Sequence, residues 1–285
     1  MNGLLRALRA ELFIAARTMG ARLVLVVPSA LVILSFLLVK LGETGTAARN
    51  SLLGEADFES SIAVNAWGHF VDGLDSGLTV LGLLLVAQAA YSFSSERDSG
   101  AIRHLLLRSS SRLAIGLAKL LHLHLLALVS FILLLATSYI AAGLLWEFGP
   151  VLEDGFELIS EDEIRQEIFL GVRLALLPLP AAIALGLLAS VAAHNATQAV
   201  VAALGLTLAL DLFKSAFGDY AYYLYATYQP SLLDQSYLQD VSRLVRGFSD
   251  VLIDERFLQM NTWAPFPALL LFTACALFIL TRRKL

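Results

Sequence analysis

Six long apolar runs alternate with shorter polar segments along this chain. Their approximate limits are Leu23 to Leu41, Leu74 to Phe93, Leu113 to Trp146, Ile168 to Ala193, Ala196 to Phe217, and Ala264 to Leu280. A helix needs about 20 apolar residues to cross the hydrocarbon of a bilayer. The third run, 34 residues from Leu113 to Trp146, would measure roughly 50 Å as a helix and should project beyond that layer. None of the runs shows the two-residue alternation of barrel strands, so helices are the reading that satisfies every backbone group in lipid. The pattern predicts an all-α integral membrane protein, one transmembrane domain over residues 1–285, with six transmembrane helices.

Two polar segments carry helical periodicity of their own. In residues 1–22, Leu4, Leu5, Leu8, Leu12, Ala15, Ala16 and Met19 share one face, and Arg6, Arg9 and Arg17 share another. This predicts an amphipathic helix lying in the membrane interface. In residues 217–263, Leu238, Val241, Leu244, Val245, Phe248, Val251 and Leu252 repeat at helical spacing, which predicts one amphipathic helix resting on the outer surface or dipping into it. The tyrosines upstream of it, Tyr220, Tyr222, Tyr223, Tyr225 and Tyr228, suit a membrane–water interface. Pro178 and Pro180 should kink the fourth span.

Composition agrees with this class. The chain is 58% hydrophobic and 15% charged, against roughly half and a quarter in soluble domains. The first span is read as uncleaved, because its apolar run and its basic leader are both longer than those of a signal peptide. The lone Cys275 cannot form an internal disulfide.

Charge distribution sets an orientation. Four arginines stand against Glu11 before the first span, four against Glu96 and Asp98 between Ser94 and Arg112, and the chain ends Arg282-Arg283-Lys284. The intervening segments are acidic: six carboxylates against Arg49 in 42–76, eight against Arg165 in 147–167, and six against three arginines in 217–263. The positive-inside bias then predicts cytoplasmic N- and C-termini in a multi-pass protein of the inner (cytoplasmic) membrane. The acidic run Glu161-Asp162-Glu163 reads as a solvated outer loop.

The segment 94–112 is the candidate for chemistry with a partner. Ser99 to Arg108 can form a short helix with Ile102, Leu105 and Leu106 on one face and Arg103 and Arg108 flanking it. Ser95 or Ser99 can cap its start, Glu96 and Asp98 suit the positive end of its dipole, and Gly100 permits a sharp bend after the second span. A short cytosolic helix joined to two spans can pass a push from a soluble partner to the membrane core.

The run Glu96-Arg97-x-x-Gly100-x-Ile102-Arg103-x-Leu105-Leu106, followed by Ser111-Arg112 and Lys119, resembles the signature of ABC-2 type transporter permeases, closest to their NosY-like branch. Ala101 stands where that signature usually has Thr, and Ser109 where it usually has Pro. The motif covers about 25 residues; the span count, the N-terminal helix and the long segment before the last span are also similar to that family. The resemblance implies a permease subunit, an exporter in class, that pairs with a second permease subunit as a homo- or heterodimer. It also implies two copies of a separate ATP-binding subunit. Segment 94–112 would be the coupling helix, with Glu96, Arg97, Gly100, Ile102, Arg103, Leu105, Leu106, Arg112 and Lys119 serving the contact. This chain has no Gly-x-x-x-x-Gly-Lys-Ser/Thr loop, so ATP and Mg would be bound by the partner and no cofactor by the chain itself. It would not be an enzyme, and nucleic acid is not an expected partner.

Charged residues inside the spans are the remaining candidates. Arg173, Asp211 and Lys214 are candidate translocation-path residues. The plainer reading has Arg173 snorkelling or pairing across a pore, and Asp211 and Lys214, at i and i+3, pairing on one helical face. Lys40 should snorkel. His122 and His124, two residues apart, point to different faces and make no metal site by themselves. The rival functions are a membrane scaffold or assembly protein, and an intramembrane enzyme. No His-Glu-x-x-His motif or paired intramembrane carboxylates speak for the latter.

Overall fold

A computed structural model describes residues 2–53, 65–101, 111–153, 156–231, 237–247 and 255–282. The helices among them are α1 (Asn2–Ala15), α2 (Met19–Leu53), α3 (Ala66–Asp98), α4 (Arg112–Leu145), α5 (Glu161–Leu176), α6 (Leu179–Ala192), α7 (Ala196–Phe213), α8 (Tyr237–Val245), α9 (Glu255–Trp263) and α10 (Pro265–Arg282). Two 3-10 segments, Lys214–Tyr223 and Tyr225–Tyr228, follow α7. Six helical stretches are long and apolar enough to cross a membrane: α2, α3, α4, α5 with α6, α7 with its 3-10 continuation, and α9 with α10.

The described residues are overwhelmingly helical, as the apolar pattern predicts, with one small exception. A two-stranded antiparallel hairpin, β1 (Val151–Glu153) and β2 (Phe156–Ile159), joins α4 to α5. The acidic run Glu161-Asp162-Glu163 is also not a loop: it is the first turn of α5. Ser160 accepts from the Glu163 backbone N–H at 3.3 Å, and the Glu163 carboxylate accepts from the Ser160 N–H at 3.0 Å. That reciprocal capping box starts the helix, and three carboxylates there complement its dipole.

Helix α3 is the axis of the bundle. Leu74, Leu78, Leu81, Leu85, Val86 and Ala89 are fully buried along it, and α2, α4, α6, α7 and α8 all pack on it. The approach of α6 is closest, because small residues face one another. A Cβ at Gly186 would stand 2.6 Å from the Val86 carbonyl oxygen and 2.7 Å from Ala89 Cβ. In lipid, such small-residue contacts give helices their van der Waals packing. Ser190 of α6 also accepts from the Phe93 and Ser94 backbone N–H groups at 3.1 and 3.0 Å.

The remaining spans are peripheral. Helix α2 buries one stripe, Ala21, Val24, Val32 and Phe36, and α7 buries Ala199, Ala203 and Thr207. Their other faces are apolar and exposed, as at Leu34, Leu38, Val201 and Leu212. The fourth span breaks between Leu176 and Leu179, where Pro178 sits at the start of α6.

The segment 217–263 is more built than one surface helix. Helix α8 turns Tyr237, Leu238, Val241, Ser242 and Val245 inward and packs against α3 and α5. The expected face residues Phe248, Val251 and Leu252 lie outside the described residues. Tyr220 and Tyr223 are exposed, but Tyr225 and Tyr228 are core residues. Burial pushes the Tyr225 hydroxyl's pKa above its ordinary value.

Candidate functional site

The contacts gather the polar residues at two ends of the bundle. At one end stand α1, the C-termini of α3, α6 and α10, and the N-termini of α2, α4 and α7. The other end holds the hairpin, α8 and the starts of α3 and α5. Helix α1, the described flanks of the charged island and the C-terminal end of α10 therefore share an end, as the charge pattern predicts.

At that end Lys119 is 1% exposed. Its ammonium lies 2.8 Å from a Glu11 carboxylate oxygen and 2.7 Å from one of Glu96, and it reaches the Ser92 carbonyl at 3.4 Å. One buried cation thus ties α1, α3 and α4. Coulomb attraction in a poorly solvated site, with hydrogen bonds on the same atoms, is what keeps such a charge buried. Lys119 is an internal tie in this structure, not a surface residue. Glu11 is the member that sequence reasoning missed. It lies one turn after Arg6 and Ala7 on α1, and the signal was a single carboxylate among arginines and leucines. The rest of α1 is consistent with its being clamped here: Leu5, Leu12 and Phe13 remain exposed, so the packed edge runs through Leu4, Leu8, Glu11 and Ala15 instead of along the full apolar face.

Further ties surround the island. Gly100 has φ +74° and its N–H donates to the Arg97 carbonyl at 3.0 Å, ending α3 in a left-handed turn. Ser99 caps that end of α3. The Asp98 carboxylate accepts from the Ala196 backbone N–H at 2.7 Å, so it serves the positive end of α7. Arg97 lies 3.9 Å from Asp98. On the far side of the island, Ser111 caps α4 by accepting from the Ala114 N–H at 3.2 Å. Arg112 donates to the Thr281 carbonyl of α10 at 3.3 Å. Ile102, Arg103, Leu105, Leu106 and Arg108 lie outside the described residues.

The intramembrane charges divide. Asp211 and Lys214 form the expected pair at 2.9 Å, and Ser231 donates to both Asp211 oxygens at 2.7 Å. Lys40 pairs with Glu43 at 3.3 Å. Arg173 is exposed on α5 and has no hydrogen bond or ion pair among the described residues. His122 is buried and His124 half-buried with its Nδ1 2.7 Å from the Leu120 carbonyl, so the two do point apart. Among the described residues no cluster of three or more His, Cys, Asp or Glu is placed to hold a metal ion.

The opposite end carries a second polar network. Glu43 accepts from the Trp146 indole at 2.9 Å, and His69 stacks on Trp146 at 3.8 Å. On α8 and in the turn that follows it, Ser242 and Arg246 bind Asp72, Gln239 donates to Asp75 at 3.0 Å, and Tyr237 donates to Glu167 at 2.8 Å. Desolvation pushes the Asp240 carboxyl's pKa up, with Arg243 opposing it.

No family model matches this chain, and neither curated proteins nor solved structures yield a match.

Proposed function

We propose that this chain is the membrane-spanning permease subunit of an ABC-type transporter, an exporter in class. It works as one of a pair, in the inner (cytoplasmic) membrane, with both termini on the cytoplasmic face. Two separate ATP-binding subunits supply the hydrolysis, with ATP and Mg held there. The residues of 94–112 take the motor's push, and Arg173, Asp211 and Lys214 stand along the spans as candidate path residues.

The observation that carries this reading is mechanical. Both flanks of the island are tied to several spans at once: Glu96 to α1 and α4 through Lys119, Asp98 to α7, and Arg112 to α10. A loop that served only to connect α3 and α4 would need no such ties. A displacement applied between residues 98 and 112 is passed to α1, α3, α4, α7 and α10 together, which is what a lever requires.

The test is recovery of the chain's complex from its native membrane. The expected result is a phosphate-loop ATPase in the complex whose hydrolysis rises on co-reconstitution with the permease. Replacing Arg103 with Glu and Leu105 with Asp should lower that stimulation by on the order of tenfold, a loss of about 1.4 kcal/mol of coupling. A complex without any ATP-binding subunit would favour the scaffold reading, and turnover of a lipid or peptide by the chain alone would favour the enzyme.

A further inference from the structure

A cleft of about 880 Å³ opens between α4, α5 and α10 near the hairpin end of the bundle. Its walls are apolar: Phe131 and Leu135 of α4, Val172 and Leu176 of α5, and Phe266 and Leu269 of α10 are typical. Its mouth carries Trp67 and Tyr139 together with Arg165, the aromatic and basic residues that collect at headgroup depth. Arg165 and Pro180, both on the lining, are 15 residues apart along α5 and α6. That is about 22 Å as a helix, half the thickness of a bilayer counted with its headgroups. One leaflet of lipid fits the length of this cleft.

The charge on its wall is the discriminating feature. Arg165 is already engaged, at 3.0 Å from Glu161 and 3.5 Å from Asp162. Arg173 also lines the cleft and is without a counter-ion among the described residues. An unpaired arginine at bilayer depth costs roughly 2.5–3.5 kcal/mol or more. A phosphodiester at the mouth of the cleft would remove that cost. A zwitterionic headgroup does so less completely, because its own ammonium competes.

We propose that this cleft is a binding site for an anionic phospholipid, one acyl chain lying against α4 and α10 and the phosphate held by the Arg173 guanidinium. The occupant is a lipid of the leaflet on the hairpin side. Arg173 reaches the phosphate by the upward bend that long basic side chains make at this depth. The site does not rest on the transport reading, in which Arg173 is also a candidate path residue, and would exist in a scaffold equally well.

Trp67, on the lining, reports on the occupant. The full chain carrying W146F and W263F keeps Trp67 as its single indole. It is reconstituted in phosphatidylcholine vesicles containing, at equal mole fraction, either phosphatidylglycerol or phosphatidylcholine with brominated acyl chains. Brominated phosphatidylglycerol should quench Trp67 several-fold more effectively. R173Q should abolish that difference, R173K should retain it, and A136F, which fills the cleft, should remove quenching by both lipids. Native mass spectrometry of the unsubstituted chain, exchanged from an equimolar mixture of the two lipids, should show retained phosphatidylglycerol that R173Q loses. Equal quenching by both lipids, or a preference that survives R173Q, overturns the proposal. So does a Trp67 that neither lipid reaches, which would place protein in the cleft, such as a second copy of this chain.

Discussion

Lys119 shows how one side chain converts a sequence pattern into a joint. Two carboxylates share its charge, so removing the cation and removing one anion have unequal consequences. Lys119→Met leaves Glu11 and Glu96 facing each other without compensation and should destabilise the protein by about 3–5 kcal/mol. Glu11→Gln leaves a neutral Lys119–Glu96 pair and should cost much less. Denaturant unfolding of both variants in the same detergent checks the order; equal losses would show that Glu11 carries as much as the cation. Gly100 is the second informative residue. Its φ of +74° is a region where a Cβ costs roughly 1–2 kcal/mol, so Gly100→Ala should destabilise by about that amount even though nothing stands within 4 Å of the added methyl. Both residues were legible as candidates in the sequence. The partner of Lys119 was not, because a contact between residues 11 and 119 leaves no local trace.

Elements were legible where the apolar run was long. The third run was read as Leu113 to Trp146 and α4 spans Arg112–Leu145. Starts defined by polar chemistry were missed, although the signals were present. Ser160-x-x-Glu163 is a capping box, and Asp154-Gly155 between two short apolar stretches is a strong short-range hairpin signal, but both sit in acidic composition that resembles a solvated loop. Ser160→Ala should cost about 1 kcal/mol, with faster amide exchange confined to the first turn of α5. Helix α8 makes a pH-dependent prediction. The Asp240 pKa is raised in the folded state because burial disfavours its charge, so the folded protein holds that proton more tightly than the unfolded chain. The resulting stabilisation is present in full below the ordinary carboxylate range and is lost as pH rises through the folded value. Unfolding midpoints should fall between acidic and neutral pH by an amount that Asp240→Asn removes.

At the scale of the whole molecule, the order of burial separates a tight centre from a loose rim. Helices α3 and α6 meet backbone to backbone at Gly186, whereas α2, α7 and α10 each bury a narrow stripe and expose apolar faces. A rim of that kind suits lipid or a second subunit. Gly186→Val should therefore be far more damaging than Val201→Gly: its branched side chain would collide with the Val86 carbonyl, while position 201 is 65% exposed. Yield and monodispersity of the two purified variants decide this. If the proposed lever operates, distance changes on ATP binding should be largest between the island end of α10 and the start of α7, the helices tied to opposite flanks of the island.

Sequence alone determined six helical stretches long and apolar enough to span a membrane and which polar segments share an end, because both follow from local quantities: the length of apolar runs and the count of charges between them. Tertiary structure decided which charges are compensated. It placed Glu11 and Glu96 on Lys119 and Ser231 on Asp211, gave Asp98 to the start of α7, and set Arg173 on an apolar wall without a counter-ion among the described residues. Those outcomes depend on which helices touch, and ion pairing between distant residues is governed by separations that no local pattern encodes.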